Sequence, residues 1–543
     1  MASQRLAPQT HQFGTSPNMI ILGISGIQGD AASAILKDGE IVAAVEESKL
    51  VRRSAQWGGR GEMPAHSIEM CLGLAGARPQ QVDVVAVVRP IPESDFHLKL
   101  RAHFPNSRIV MLGHHLAHAA SAYYPSPFEE ATVLTLDRSG DLCSGARWQA
   151  AGTRMALDQE QYFPDSLGDI YGRVTELLGL AANADEHKVQ WLSVRGDDRY
   201  KALFLEILNL SDTGPRPDRS FFSTERLKNG GFGPRFYERL GLKDGEAVPG
   251  PLGAHVAAGV QKALETAVIR MAGHGRNLCL AGGLGLNALL VSALENHSGF
   301  ENVFVQPVSG NAGASIGAAL EAWHGVGRQP KRVALRTLCL GPSYTAAEIK
   351  QVLENCKLRF RYLLTDDEVT GAAVAQLSDN KIVAWMHGRM EFGARALGNR
   401  SILASPLDPY STENLNAFIK HREPFRKFAA SVPAELAAQY FDVGPNARYL
   451  STVGRVRPEH REKFAAAILA DDLVRVHTVD RDENPLYWTL LHAAGKATGL
   501  PVLYNTSFNL FGEPLVCTPR DAVRSFYSSG IDAMFVGHFL LQK

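Results

Sequence analysis

The feature that most narrows the fold of this 543-residue chain is a short pattern used twice: an apolar strand, a turn rich in Asp and Gly, and a returning strand. Residues 19–47 read MIILGISGIQGDAASAILKDGEIVAAVEE, three strand-like apolar runs separated by Gly/Asp turns, with Lys37-Asp38-Gly39 marking a hairpin. Residues 132–150, TVLTLDRSGDLCSGARWQA, again carry a strand into a polar Gly/Asp loop before a second strand. A unit repeated in this way predicts a duplicated α/β domain with its ligand cleft between the two copies.

That duplication is the plan of the actin-like fold. Two later segments, NLCLAGGLGLNALLVSALE (277–295) and NVFVQPVSGNAGASIGAALEAWH (302–324), each run from an apolar strand through a Gly-rich turn into a helix. Both turns aim backbone N–H groups and a helix N-terminus at one spot, which suits a phosphate. After His324 the segment GVGRQPKRVALRTLCLGPSYT is rich in Gly, Pro and basic residues without periodicity, and reads as a domain connection. From about 345 a second α/β pattern begins, with strands expected at KIVAWMHG (381–388) and PVLYNTSF (501–508). Helical stretches are expected at ENLNAFIKHRE and DAVRSFYSSG. A chain of this length with 45% hydrophobic residues exceeds one ordinary core, so the expected division is 19–328, a linker over 329–344, and 345–543.

Fifty-six basic residues balance fifty-six acidic ones, so no global field draws the chain to nucleic acid or an anionic membrane, and any anion site must be local. The six cysteines, Cys71, Cys143, Cys279, Cys339, Cys356 and Cys517, form no CxxC pair and read as reduced thiols of a cytoplasmic protein. The opening segment MASQRLAPQTHQFGTSPN is polar and no apolar run reaches membrane-helix length, so a soluble, cytoplasmic protein is expected, with both a monomer and a homodimer open.

Three constellations carry chemistry. In GHHLAHAASAYY (113–124), His114 and His118 lie four apart and project from one helix face, able to hold one divalent metal, while His115 points elsewhere. Asp137, closing the next expected strand, offers a carboxylate, and the mixed N/O set suits iron, manganese or a similar ion. In residues 388–432, Arg389, Arg395, Arg400, Lys420, Arg422 and Arg426 are spaced by Gly, Asn and apolar residues rather than run together. Forked guanidinium groups set among glycines in this way build a pocket for phosphate oxygens. In LYNTSFNLFGEPLVCTP (503–519), Asn505, Thr506, Ser507 and Asn509 stand at a strand exit, where short polar side chains can bind a ribose or phosphate or form an ordinary turn.

Together the segments HHLAHAASAYYPSPFEEA, SLGDIYGRVTELLGL, ADEHKV, NLCLAGGLGLN, GRMEFGARALGNRSILASP, IKHREPFR, NTSFNLFGEP and VCTP resemble the antibiotic and nodulation O-carbamoyltransferases. The resemblance implies a duplicated actin-like (ASKHA) N-terminal domain followed by a YrdC-like α/β domain. It implies carbamoyl phosphate and ATP as co-substrates, a carbamoyl adenylate made in the second domain, and transfer in the first to a hydroxyl or amine of a small molecule. It places Arg395, Lys420, Arg426, Arg475, Asn505 and Ser507 at the anion site. Lys188, Gly282, Gly283 and Asn287 fall in its first-domain nucleotide motifs, and a metal, iron first with manganese or magnesium as alternatives, falls at His114, His118, Asp137 and Asn311.

The chain departs from the family pattern in several places. Where the family carries GDAG it has Gly310-Asn311-Ala312-Gly313, so Asn311 offers a carbonyl oxygen without charge. The family's HDAS is Gly29-Asp30-Ala31-Ala32, which removes a histidine and leaves Asp30 as a candidate base. DGxGE is Asp137-Arg138-Ser139-Gly140-Asp141, KVMGLA is Lys188-Val189-Gln190-Trp191-Leu192-Ser193, and HVDGTAR keeps only its arginine, Arg475, at the end of Leu469-Ala470-Asp471-Asp472-Leu473-Val474-Arg475. Two readings follow: an active carbamoyltransferase with a remodelled acceptor site, or a transfer-deficient homologue with a degenerate metal site that binds a nucleotide or serves regulation.

Overall fold

A computed structural model describes residues 19–53, 62–90, 95–211, 213–226 and 228–543. The repeated sequence pattern becomes two five-stranded sheets of identical plan. In the first, Glu40–Glu46, Ala32–Lys37 and Ile20–Ser25 run antiparallel, and Val84–Val88 and Arg108–Leu112 add parallel strands. In the second, Arg154–Tyr162, Cys143–Ala151 and Glu130–Gly140 are the antiparallel three, and His274–Ala281 and Gly299–Val305 the parallel pair. The Asp38-Gly39 hairpin has both central residues at positive φ (53° and 83°), the turn whose twist matches the strands it joins. Arg154–Tyr162 escaped the sequence reading because RMALDQEQY is a mostly exposed edge strand with no apolar alternation.

Two alanine-rich helices, His114–Tyr123 and Ala314–Glu321, pack between the sheets in one core with Ile21, Val84, Val133 and Ala281. They cross so closely that a Cβ on Gly317 would stand 1.8 Å from the Ala117 carbonyl oxygen. Residues 329–344 lack regular structure yet bury Leu335, Leu338 and Leu340 in that same core.

The second half is built on an eight-stranded mixed sheet with Val383–Met386, Arg400–Ala404 and Leu503–Ser507 at its centre. One face packs Ile402, Val432 and Tyr504, the other Trp385, Leu403 and Tyr487. The helix expected over ENLNAFIKHRE is α-helical only over Ser411–Asn414 and continues as a π-helix through Leu415–Lys420.

The halves are sewn together at two points. Near the first sheet, the Glu46 carboxylate accepts the Gly393 N–H (2.7 Å), and Lys49, 2.9 Å from Glu46, donates to the Glu391 and Gly393 carbonyls. At the edge of the second sheet, Asn446 accepts from the Val305 N–H and donates to the Val303 carbonyl and to Glu295, continuing the ladder with its side chain. Among the described residues all six cysteines are unpaired and no helix is long and apolar enough to cross a membrane.

Candidate active site

His114 and His118 are buried on the helix that starts at Gly113, and Asp137 lies where the strand Glu130–Gly140 slips register against its neighbour, a bulge that turns its carboxylate toward the helix. A Cβ on Gly140 would stand 2.1 Å from the His114 ring, so glycine there lets the strand close onto the imidazole. His114 Nε2 is 3.1 Å from both His118 Nε2 and Asp137 Oδ2, and His118 Nε2 is 3.4 Å from the same oxygen. Bonds of about 2.1 Å to ligands at right to tetrahedral angles put donor atoms roughly 3.0–3.4 Å apart, so the three fit one divalent ion. Burial alone would raise the Asp137 carboxyl, but hydrogen bonding to the two histidines holds it well below the usual range. Asp137 Oδ1 accepts the Arg138 N–H at 2.8 Å, which fixes the carboxylate. His115 faces away, bonded to Thr135 and the Cys143 carbonyl, and burial with its histidine neighbours pushes it down to about 3.

Two cavities touch this cluster, and another adjoins them at Asn311. One of about 330 Å³ is walled by Asp30, Asp137, Arg138, His187, Gly283 and Asn311. A second of about 310 Å³ shares Asp30 and Asn311 and runs between the halves to Lys49, Arg395, Ser507 and Asn509. A third of about 400 Å³ opens on His114 and Asn311 from the side of Gly29 and Arg89. Asp30, held at φ 61°, is raised by burial, then by Glu46 and Asp137. The Asn311 amide donates to the Gly29 carbonyl at 3.3 Å. Asn287 caps its helix through Leu290 N–H and exchanges hydrogen bonds with Gln261, while Gly282 (φ 91°) brings its turn against Leu136.

The cations expected to share a pocket divide. Arg389 and Arg400 are structural: Arg389 donates to the carbonyls of Val42, Leu340 and Gly341, and fully buried Arg400 to those of His387, Gly388, Asn399 and Pro342. Each is tied to backbone carbonyls, Arg389 through Nε and Nη2 and Arg400 through Nη1 and Nη2, so its guanidinium braces the surrounding loops. Lys420 is also caged, by the Ser507 carbonyl and both oxygens of Asn509, three acceptors for three ammonium protons. Asn505 braces the Arg395 loop through the Ala396 carbonyl and Ser431. Arg395, Arg422, Arg426 and Arg475 do gather: burial, then the other three, pushes Arg475 well below the usual guanidinium range. Arg475 also lies 5.4 Å over the Trp191 ring of the first half. Lys188 reaches across too, 3.1 Å from Asp185 and 3.4 Å from Glu423.

Residues 96–320 match the family model for the carbamoyltransferase N-terminus, and residues 374–543 that for the carbamoyltransferase C-terminus. The nodulation protein NolNO of Sinorhizobium fredii is 31% identical over 95% of this chain and 79% of its own length. The chain belongs to the carbamoyltransferase family. Nodulation protein NolO of Bradyrhizobium diazoefficiens is 34% identical over 80% of this carbamoyltransferase and 79% of NolO. Among solved structures, T. kodakarensis HypF is similar at 14% identity with a TM-score of 0.33, over 57% of this chain and 48% of HypF.

Sequence reasoning did not single out Arg138, Tyr171, Glu186 or His187, all of which line the first cavity. Their signal lay in the segments SLGDIYG and ADEHKV and in the substituted DRSGD turn, but neither helical period nor charge separates them from an ordinary surface.

Proposed function

We propose that this carbamoyltransferase activates carbamoyl phosphate with ATP in its second half and passes the carbamoyl group along the cleft to a hydroxyl or amine of a small molecule. The observation that carries the reading is the joined cavity, in which Asp30 and Asn311 wall both the chamber at Asp137 and the passage that ends at Arg395 and Ser507. Four arginines crowd beside that end against the carboxylates of Glu423 and Asp185, an excess of positive charge that a polyphosphate balances. Water cleaves carbamoyl phosphate to carbamate and inorganic phosphate, the carbamate oxygen attacks the α-phosphorus of ATP, the bond from that phosphorus to the β-phosphate oxygen breaks, and pyrophosphate leaves. The same guanidiniums stabilise the charge that builds on the phosphorus.

The carbamoyl adenylate then meets the acceptor in the first half. The acceptor attacks the carbamoyl carbon, the C–O bond to phosphate breaks, AMP departs, and Asp30, raised by its burial, takes the proton. A divalent ion held by His114, His118 and Asp137, with iron, manganese or magnesium as candidates, supplies Lewis-acid charge when bound. On this reading residues 19–328 form an actin-like transfer domain, 329–344 a linker, and 345–543 a YrdC-like activating domain. The duplicated sheets support the first assignment.

The neutral Asn311, its amide spent on Gly29, favours a second reading in which transfer is lost and nucleotide handling remains. Pyrophosphate release from ATP with carbamoyl phosphate, measured separately from AMP and carbamate ester across an acceptor panel, decides between them. Pyrophosphate without ester favours the second reading, and no pyrophosphate rejects both.

A further inference from the structure

We infer that Arg138, beside the Asp137 ligand in sequence, is a phosphate-binding residue of the first-half cavity and neutralises the AMP leaving group; this rests on the adenylate reading above. Its guanidinium is placed by two acceptors that use only part of its donor set. Nε donates to Asp169 Oδ1 at 3.0 Å and Nη1 to Asn183 Oδ1 at 3.1 Å, and the side chain, 40% exposed, lines the cavity with Asp30, Gly283 and Asn311. A guanidinium carries five N–H groups, so three remain for a ligand, including the Nη2 pair suited to phosphate oxygens.

The sharing of Asp169 points the same way. Asp169, only 3% exposed, is shared by two cations: Oδ1 takes Arg138 and Oδ2 takes Arg173 Nε at 2.7 Å. Asp169 is therefore not Arg138's alone, and of the two guanidiniums it is Arg138 that faces the cavity, the one guanidinium in a lining that also carries Asp30, Asp137 and Glu186. Arg173 turns to the Gly230 carbonyl and the Phe222 ring. The backbone is fixed as well as the side chain. Ser166 Oγ donates to the Arg138 carbonyl at 2.8 Å, and a Cβ on Gly168 would stand 2.8 Å from Arg138 Cα, so the residue sits pressed against a helix start. A cation held this rigidly costs little reorganisation when a phosphate arrives. When the carbamoyl C–O bond breaks, AMP leaves with one more negative charge than the phosphate ester carried in the adenylate, and Arg138 is the permanent cation on that wall.

The probe is AMP, titrated calorimetrically into full-length wild-type protein and into Arg138→Ala, Arg138→Lys and Arg173→Ala. Arg138→Ala should weaken AMP binding by about tenfold or more, with Arg138→Lys recovering part of the loss, as one forked charge-assisted contact is removed or replaced by a point charge. Arg173→Ala, which loosens Asp169 without touching the cavity, should change affinity by less than about twofold. Equal AMP binding by wild type and Arg138→Ala, an equal loss in Arg173→Ala, or no AMP binding by wild type overturns the assignment. Absence of carbamoyl-dependent pyrophosphate release from wild type would instead strike the activation scheme, an outcome read in a separate assay.

Discussion

The histidine–aspartate cluster and the arginine cluster, whose Arg395 lines the adjoining cavity, are held in place on opposite terms. The first stands on a helix and a bulged strand, and its three donor atoms are already within 4.8 Å of one another. The second stands on loops and a π-helical end, and its members repel one another, with Arg422 pushed down to about 9 by burial and then by Arg426. A site whose charges cancel is preorganised by the fold. A site whose charges add is stable only at a cost that its ligand offsets. The first half therefore supplies geometry, and the second supplies field.

The largest expected effect tests that contrast directly. Arg426→Ala should cut carbamoyl-dependent pyrophosphate release by roughly 100-fold or more, because it removes a forked cation from the proposed polyphosphate site. Since the arginines repel in the free protein, the same variant should melt no lower than wild type without ligand. A drop of several degrees would mean the arginine is structural, like Arg400. His118→Ala should act in the opposite way, lowering metal affinity by about 100-fold with a far smaller change in pyrophosphate release. Metal content of purified protein against wild type checks it, and equal content would place the ion elsewhere.

How much of this was legible in the sequence follows the same division. The repeated strand–turn–strand unit read correctly because short apolar runs and an Asp-Gly turn are local signals, and the HxxxH spacing placed two imidazoles on one face because a helix fixes that geometry. The cation cluster was legible only in part. Arg395 and Arg400 are five residues apart with the same composition around them, yet one lines the cleft and the other is buried among carbonyls. Sequence carries no sign of where a backbone carbonyl points, so it cannot tell a guanidinium that holds a loop from one that holds a phosphate. Lys420 shows the same limit, its ammonium enclosed by Ser507 and Asn509.

A third test loosens the seam between the two regions. Gly393 sits at φ 100° with Val308 of the first half where a side chain would go: a Cβ would stand 2.8 Å from Val308 Cγ2. Gly393→Ala should destabilise by about 1–3 kcal/mol, read from denaturant unfolding, through backbone strain and overpacking together. Because Gly393 also anchors Glu46, ester formation should fall more than pyrophosphate release. Equal loss of both would mean that the seam stabilises the halves without aligning the passage.

The smallest expected effect lies at the position where the first site is weakest. Asn311 lines all three cavities, but its side chain brings no charge and its amide is directed to the Gly29 carbonyl. Asn311→Asp adds a carboxylate beside the two imidazoles and one carboxylate that would hold the proposed ion, so affinity should rise by about tenfold or less, with harder ions gaining most. The same change places a third carboxylate near Asp30 and Asp137, and their mutual repulsion in the free protein should lower the metal-free melting temperature slightly. Metal titration and melting with and without ion separate the two contributions. Tighter metal binding together with a less stable metal-free form is the signature of a residue in the coordination sphere; a change in melting alone would place position 311 outside it.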